Sequence, residues 1–281
     1  MALDHSIVGV RRGPWTRTWT ADDALLYAIA VGAGQVDPTR ELAYTTENST
    51  GVAQVALPGY AIVLAQFGGP QRALPGVDYT KLLHAEQSLR LSRALPVAGA
   101  VELHSTVTDI YDKGSGALVA VEYVASQPDG GAELFRTRSS VFLRGEGGFG
   151  GDRGLSTASP IPDRPADVTL RFATAVNQAL LYRLTGDRNP LHSDPAFAAR
   201  AGFDRPILHG LASYGITIRL LVNEFCSGDP SKVSFVDGRF TKPVFPGDEL
   251  TVQAWTIDDG VAFRTSTPAG VAIDRGRFEC R

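Results

Sequence analysis

Residues 181–192 run Leu181-Tyr182-Arg183-Leu184-Thr185-Gly186-Asp187-Arg188-Asn189-Pro190-Leu191-His192. An acid, an amide and an imidazole fall close together, punctuated by Gly186 and Pro190, and Gly and Pro mark breaks in regular structure. The reading is a tight loop that can aim Asp187, Asn189 and His192 at one point. An Asp-His pair on such a loop is equipment for moving protons to and from water.

Working outward, the loop closes a helix. Thr174 is the expected cap, Gly186 the expected stop, and Val176, Leu180 and Leu184 repeat at i, i+4 as one apolar face. Past the loop, Ser193 or Asp194 caps a short helix with Pro195 at its first position and Gly202 at its end. An apolar helix follows from Pro206 to about Cys226, with Arg219 and Glu224 the main exceptions, and a helix apolar on most sides is normally buried. Period-two alternation then marks strands, including Leu250, Val252, Ala254 and Thr256.

The same order occurs earlier in the chain. Thr20 can cap a helix with Asp22 and Asp23 in its first turn and Gly32 at its close. Tyr27 there matches Tyr182. A second apolar helix begins at Leu57-Pro58-Gly59-Tyr60 and is broken by Gly68, Gly69 and Pro70, so it should be the shorter of the two. Val101, Leu103, Ser105 and Val107 alternate with polar neighbours. Turns at Asp112-Lys113-Gly114 and Asp129-Gly130-Gly131 correspond to Asp258-Asp259-Gly260 and Pro268-Ala269-Gly270. Arg90 to Pro96 echoes Arg239 to Pro246. The Gly/Pro/Ser-rich run from Gly145 to Pro165 reads as a connector. The plan is a buried helix wrapped by an antiparallel sheet, built twice. The expected boundaries are 1–150, a linker at 151–166, and 167–281.

The 181–192 segment closely resembles the signature of the MaoC-like dehydratases, also called hydratase 2 enzymes. The likeness covers roughly Trp15 to Phe278. It implies an α+β double hot-dog fold. It also implies reversible hydration of trans-2-enoyl thioesters to (3R)-3-hydroxyacyl thioesters. By the resemblance Asp187 and His192 are the catalytic pair, and the Gly210 N–H stabilises the thioester oxygen. The geometry of a helix N-terminus favours negative charge there independently. Arg188, Asn189, Pro190 and Leu191 complete the loop beside the substrate; Asn189 could orient the water or pin the loop backbone. Leu83-His84-Ala85-Glu86-Gln87 resembles a segment that contacts the acyl-CoA, with Ala85 in place of a glycine. Lys113 matches a lysine that touches the CoA portion, and Phe240 an aromatic lining the substrate channel. His209 reads as structural. Gly32 to Pro38 offers Asp37 but no histidine, so one active site per chain is expected, with the first half free to house a long acyl chain.

The balance of 27 basic and 30 acidic residues, net −3, points away from nucleic acid and anionic membranes. Two cysteines, Cys226 and Cys280, are too few for a disulfide framework and have no metal-ligand spacing. No apolar run approaches the length of a membrane span, and Met1 to Trp15 lacks an apolar signal core. No dinucleotide fingerprint, phosphate loop or nucleophile elbow is present. The expectation is a cytoplasmic enzyme, homodimeric by family likeness, without metal or cofactor. Its partner is an acyl thioester of CoA or acyl carrier protein. A hot-dog thioesterase and a non-catalytic acyl-thioester-binding subunit are the competing readings.

Overall fold

The computed structural model describes residues 3–67, 74, 77–78, 81–128, 130–154 and 160–281. The first half supplies β1 (Arg11–Trp19), β2 (Leu82–Leu91), β3 (Gly99–Asp112), β4 (Gly116–Ser126) and β5 (Glu133–Arg144). The second supplies β6 (Val168–Ala173), β7 (Val233–Phe240), β8 (Glu249–Ile257), β9 (Gly260–Thr267) and β10 (Gly270–Cys280). All ten lie in one sheet ordered β1-β3-β4-β5-β2-β7-β10-β9-β8-β6, so the halves read identically inward from the two edges. The equivalent strands β2 and β7 meet antiparallel at the seam, with Ser88 opposite Asp237. Ser88 and Asp237 are as far apart along the chain as Arg90 and Arg239, so the sequence echo also marks the local two-fold. This is the α+β double hot-dog.

Among the described residues six α-helices accompany the sheet: α1 (Ala21–Ala30), α2 (Leu42–Thr45), α3 (Tyr60–Gln66), α4 (Gln178–Tyr182), α5 (Pro195–Arg200) and α6 (Gly210–Phe225). The central helices α3 and α6 are buried along most of their length and belong to one core shared by both halves. As expected, α3 is the shorter, at 7 residues against 16. The Gly68-Gly69-Pro70 break itself, Asp129 and residues 155–159 of the connector lie outside the described residues.

Local signals translate directly. Thr20 and Asp23 form a reciprocal capping box on α1, and Gly32 follows the helix at φ +82°. Asp194, not Ser193, caps α5 by accepting from Ala196 and Phe197 N–H, with Pro195 at its first position. Val101, Leu103, Ser105 and Val107 point into the interior.

Four expectations are corrected. Thr174 does not cap a helix: its hydroxyl donates to the Asp248 carbonyl, and α4 starts only at Gln178. The Val176, Leu180 and Leu184 row faces solvent, at 85%, 54% and 45% exposure. The buried side is Gln178, Ala179 and Tyr182, because the Gln178 amide donates to the Ala30 carbonyl and Tyr182 packs on Tyr27. Helix α6 begins at Gly210 rather than Pro206, since Leu208 N–H is committed to the Val244 carbonyl. The alternation in β8 ends early: Thr256 is exposed and Trp255 is buried, its indole N–H donating to the Arg164 carbonyl.

Arg219, polar on an otherwise apolar helix, is buried with Glu41. Its Nη1 lies 2.6 Å from Glu41, its Nε donates to the Val31 carbonyl, and its guanidinium lies over the Phe172 ring.

Candidate active site

Gly186 ends the turn after α4 at φ +148°, a conformation that favours glycine. A Cβ there would fall 2.9 Å from Cβ of Phe67, so the loop is laid closely on the end of α3. From that turn Asp187 is carried inward, while Arg188 stays exposed. One Asp187 carboxylate oxygen accepts the Asn189 N–H at 3.1 Å, and Asn189 Oδ1 accepts the Leu191 N–H at 3.1 Å. These short side-chain-to-backbone bonds fix the loop and place Asn189 as a backbone pin. A single 3-10 turn, Pro190–His192, then brings the imidazole of His192 inside.

His192 Nδ1 is 2.9 Å from the carbonyl of Ile207, so the neutral ring carries its hydrogen on Nδ1 and keeps Nε2 free. Burial pushes the Asp187 carboxyl up, against the pull of His192 and the Asn189 N–H. Burial pushes His192 down, against the pull of Asp187. Both shifts favour the uncharged forms, so the pair is poised to exchange a proton with a molecule between them.

Gly210 opens α6, and among the described residues no backbone carbonyl takes its N–H. Its missing side chain leaves room against the Phe240 ring, which a Cβ would approach to 3.3 Å. A developing oxyanion at this point would meet a free donor and the positive end of a sixteen-residue helix.

A cavity of about 1030 Å³ opens in front of these groups. Asp187, Arg188, Asn189, Pro190, Leu191, His192, Gly210, Phe240, His84 and Ala85 all line it. The first half contributes an apolar stretch of wall, including Leu82, Val121, Val141 and Phe142. His84 sits under Phe240, ring centroids 4.7 Å apart, with Nε2 3.1 Å from both the Glu86 carbonyl and Ser139 Oγ. Burial lowers its pKa to about 4. Lys113 is the expected site residue that does not join the group. It stands in the β3–β4 turn, outside the cavity wall, and its ammonium holds the Arg153 carbonyl beside the Tyr111 ring. Asp37 is exposed and accepts the Thr39 N–H, as a turn residue does.

The sequence alone offers little to single out His209. It is wholly buried, with its ring stacked on His192 at 3.8 Å and 29°. Its only signal in the sequence is that it precedes Gly210. Asp187, His192 and His209 offer ligand-type atoms within 4.8 Å of one another. Each imidazole already gives one nitrogen to a backbone carbonyl, Nδ1 of His192 to Ile207 and Nε2 of His209 to Asp187.

Residues 157–273 match the MaoC like domain and residues 18–145 the MFE-2 hydratase 2 N-terminal domain. The chain is 43% identical to 3-hydroxyacyl-thioester dehydratase Y of Mycobacterium tuberculosis over 99% of both chains. It is 41% identical to enoyl-CoA hydratase ChsH3 of the same organism, covering 91% of this chain and 90% of that one. Among solved structures, a MaoC-like dehydratase from Phytophthora capsici superposes with a TM-score of 0.86 at 31% identity, over 98% of this chain and 96% of that one. The two halves thus match two domains of a known group of proteins, and the chain belongs to the MaoC-like dehydratase family.

Proposed function

We propose that this chain is a hydro-lyase that adds water reversibly to trans-2-enoyl thioesters, giving (3R)-3-hydroxyacyl thioesters. The observation that carries the reading is the convergence on one cavity of Asp187, His192 and the Gly210 N–H, which no backbone carbonyl of the described residues takes. In the hydration direction, water held between Asp187 and His192 loses a proton as its oxygen bonds to C3. A proton is delivered to C2. The negative charge that passes through the thioester oxygen is met by Gly210 N–H and the α6 dipole. These steps are proton transfers and hydrogen bonds, which the named side chains and backbone supply.

In this reading residues 1–150 house the acyl chain, 151–166 connect, and 167–281 carry the chemistry. His84, Ala85 and Phe240 border the thioester. The carrier is CoA or acyl carrier protein, and the assembly is a homodimer. The test is incubation with trans-2-enoyl-CoA and analysis of the products. A (3R)-3-hydroxyacyl-CoA with the thioester intact is expected. Free CoA thiol would favour a thioesterase, and no turnover would favour a binding subunit.

A further inference from the structure

One buried ring touches each part of the proposed machinery. His209 Nε2 lies 3.2 Å from the backbone carbonyl of Asp187. A carbonyl only accepts, so Nε2 carries the hydrogen and donates it. The face of the same ring lies on His192, and the next residue is Gly210. Tyr182 packs against it, ring centroids 4.9 Å apart. Its other nitrogen, Nδ1, is buried without a partner among the described residues. Leaving a buried ring nitrogen unpaired is costly, so a plain packing residue would serve better if packing were the only need. We propose that His209 is a positioning residue for hydration, fixing the Asp187 peptide through its donated Nε2–H while its ring face sets the plane of His192.

The ring must stay neutral to do this, because a cation stacked on His192 would oppose protonation of that imidazole. Its surroundings enforce neutrality: burial, with His192 and Arg183 adding to it, lowers the His209 pKa to about 2 despite the bond to Asp187. The acid, the imidazole and the helix N-terminus are thereby referenced to a single ring, and small displacements of reacting groups are expensive in rate.

The inference rests on the hydratase reading of Asp187 and His192. If that reading fails, the native protein does not hydrate enoyl thioesters. If only this inference fails, native activity stands and the variants below match it. His209→Phe keeps a ring against His192 and removes the donor. His209→Gln keeps a donor that can reach the Asp187 carbonyl and removes the ring. The Phe variant should lose at least about tenfold in kcat with KM moved less than about threefold, and the Gln variant, which restores the donor but not the ring, should recover part of that loss without reaching native kcat. Native kcat in a folded Phe variant would overturn the proposal, as would equal losses in both variants that track their melting temperatures. Should neither variant fold, ring-nitrogen NMR of the unaltered protein decides. A neutral Nε2–H tautomer throughout pH 5 to 9 supports the role, and an Nδ1–H tautomer or a cation in that range overturns it.

Discussion

His192 Nδ1 lies 2.9 Å from the Ile207 carbonyl, so one member of the proposed proton-transferring pair is tied to the segment that leads into α6. That bond fixes the tautomer and leaves Nε2 as the proton acceptor. It also couples the loop carrying Asp187 to the helix whose first residue is Gly210, so the groups proposed to activate water and to stabilise the oxyanion share one scaffold.

The cavity sets an expectation for substrate length. Its apolar wall from the first half can cover an acyl chain, and each CH₂ removed from water gains about 0.8 kcal/mol. The ratio kcat/KM should rise from the four-carbon enoyl-CoA toward medium or long chains, roughly C8 to C12, until the space is filled. Steady-state kinetics across a chain-length series checks this, and a clear preference for the four-carbon substrate would reject an open acyl pocket.

One site per chain is expected, because Asp37 is a solvent-facing turn residue with no histidine beside it. Asp37→Ala should therefore leave turnover unchanged. Titration with a tight substrate analogue should give a stoichiometry of one per chain, and a value of two would show that the first half is competent.

Acid should weaken the fold through His84. Its pKa falls from 6.5 to about 4 on folding, chiefly by burial. Below pH 6.5 the unfolded chain takes up a proton that the folded chain refuses, so stability drops as pH falls and stops responding to this group below about pH 4. The loss could reach about 3 kcal/mol across that window. Urea midpoints measured against pH should be less pH-dependent in His84→Gln than in the native protein, and parallel curves would count against a buried neutral imidazole.

Among the ion pairs of the described residues Arg219–Glu41 is the most buried, with side chains 4% and 17% exposed. Glu41 also accepts from Asn223 and from Gly34 N–H. Glu41→Ala strands a buried guanidinium and should cost about 3 kcal/mol or more in chemical unfolding. Replacing both partners with apolar residues should cost less than the sum of the two single changes.

Where sequence signals act locally they were legible. The Thr20 cap, a cap at Ser193 or Asp194, and the alternation at 101–107 are settled by neighbours a few positions away, with the structure choosing Asp194. The loop at 186–192 was legible for the same reason, since its own side chains hold its backbone. Tertiary choices were not. The i, i+4 row at Val176, Leu180 and Leu184 identified an apolar face, but Gln178 and Tyr182 decide which face turns inward through partners on α1. The echo around Arg90 and Arg239 showed that two strands are equivalent, yet nothing local says that they pair with each other. The His209 stack joins parts of the chain through burial alone, and Lys113 sits in a turn whose distance from the cavity only the fold determines.

The central claim is that Asp187 and His192 work as one unit on water. Its most direct test is the hydration kcat of Asp187→Asn, His192→Gln and the double variant on a common enoyl-CoA. Each single change should reduce kcat by at least about a hundredfold, and the double should be little worse than either, because paired proton-transfer groups fail together. Near-native hydration by either folded single variant would contradict the account.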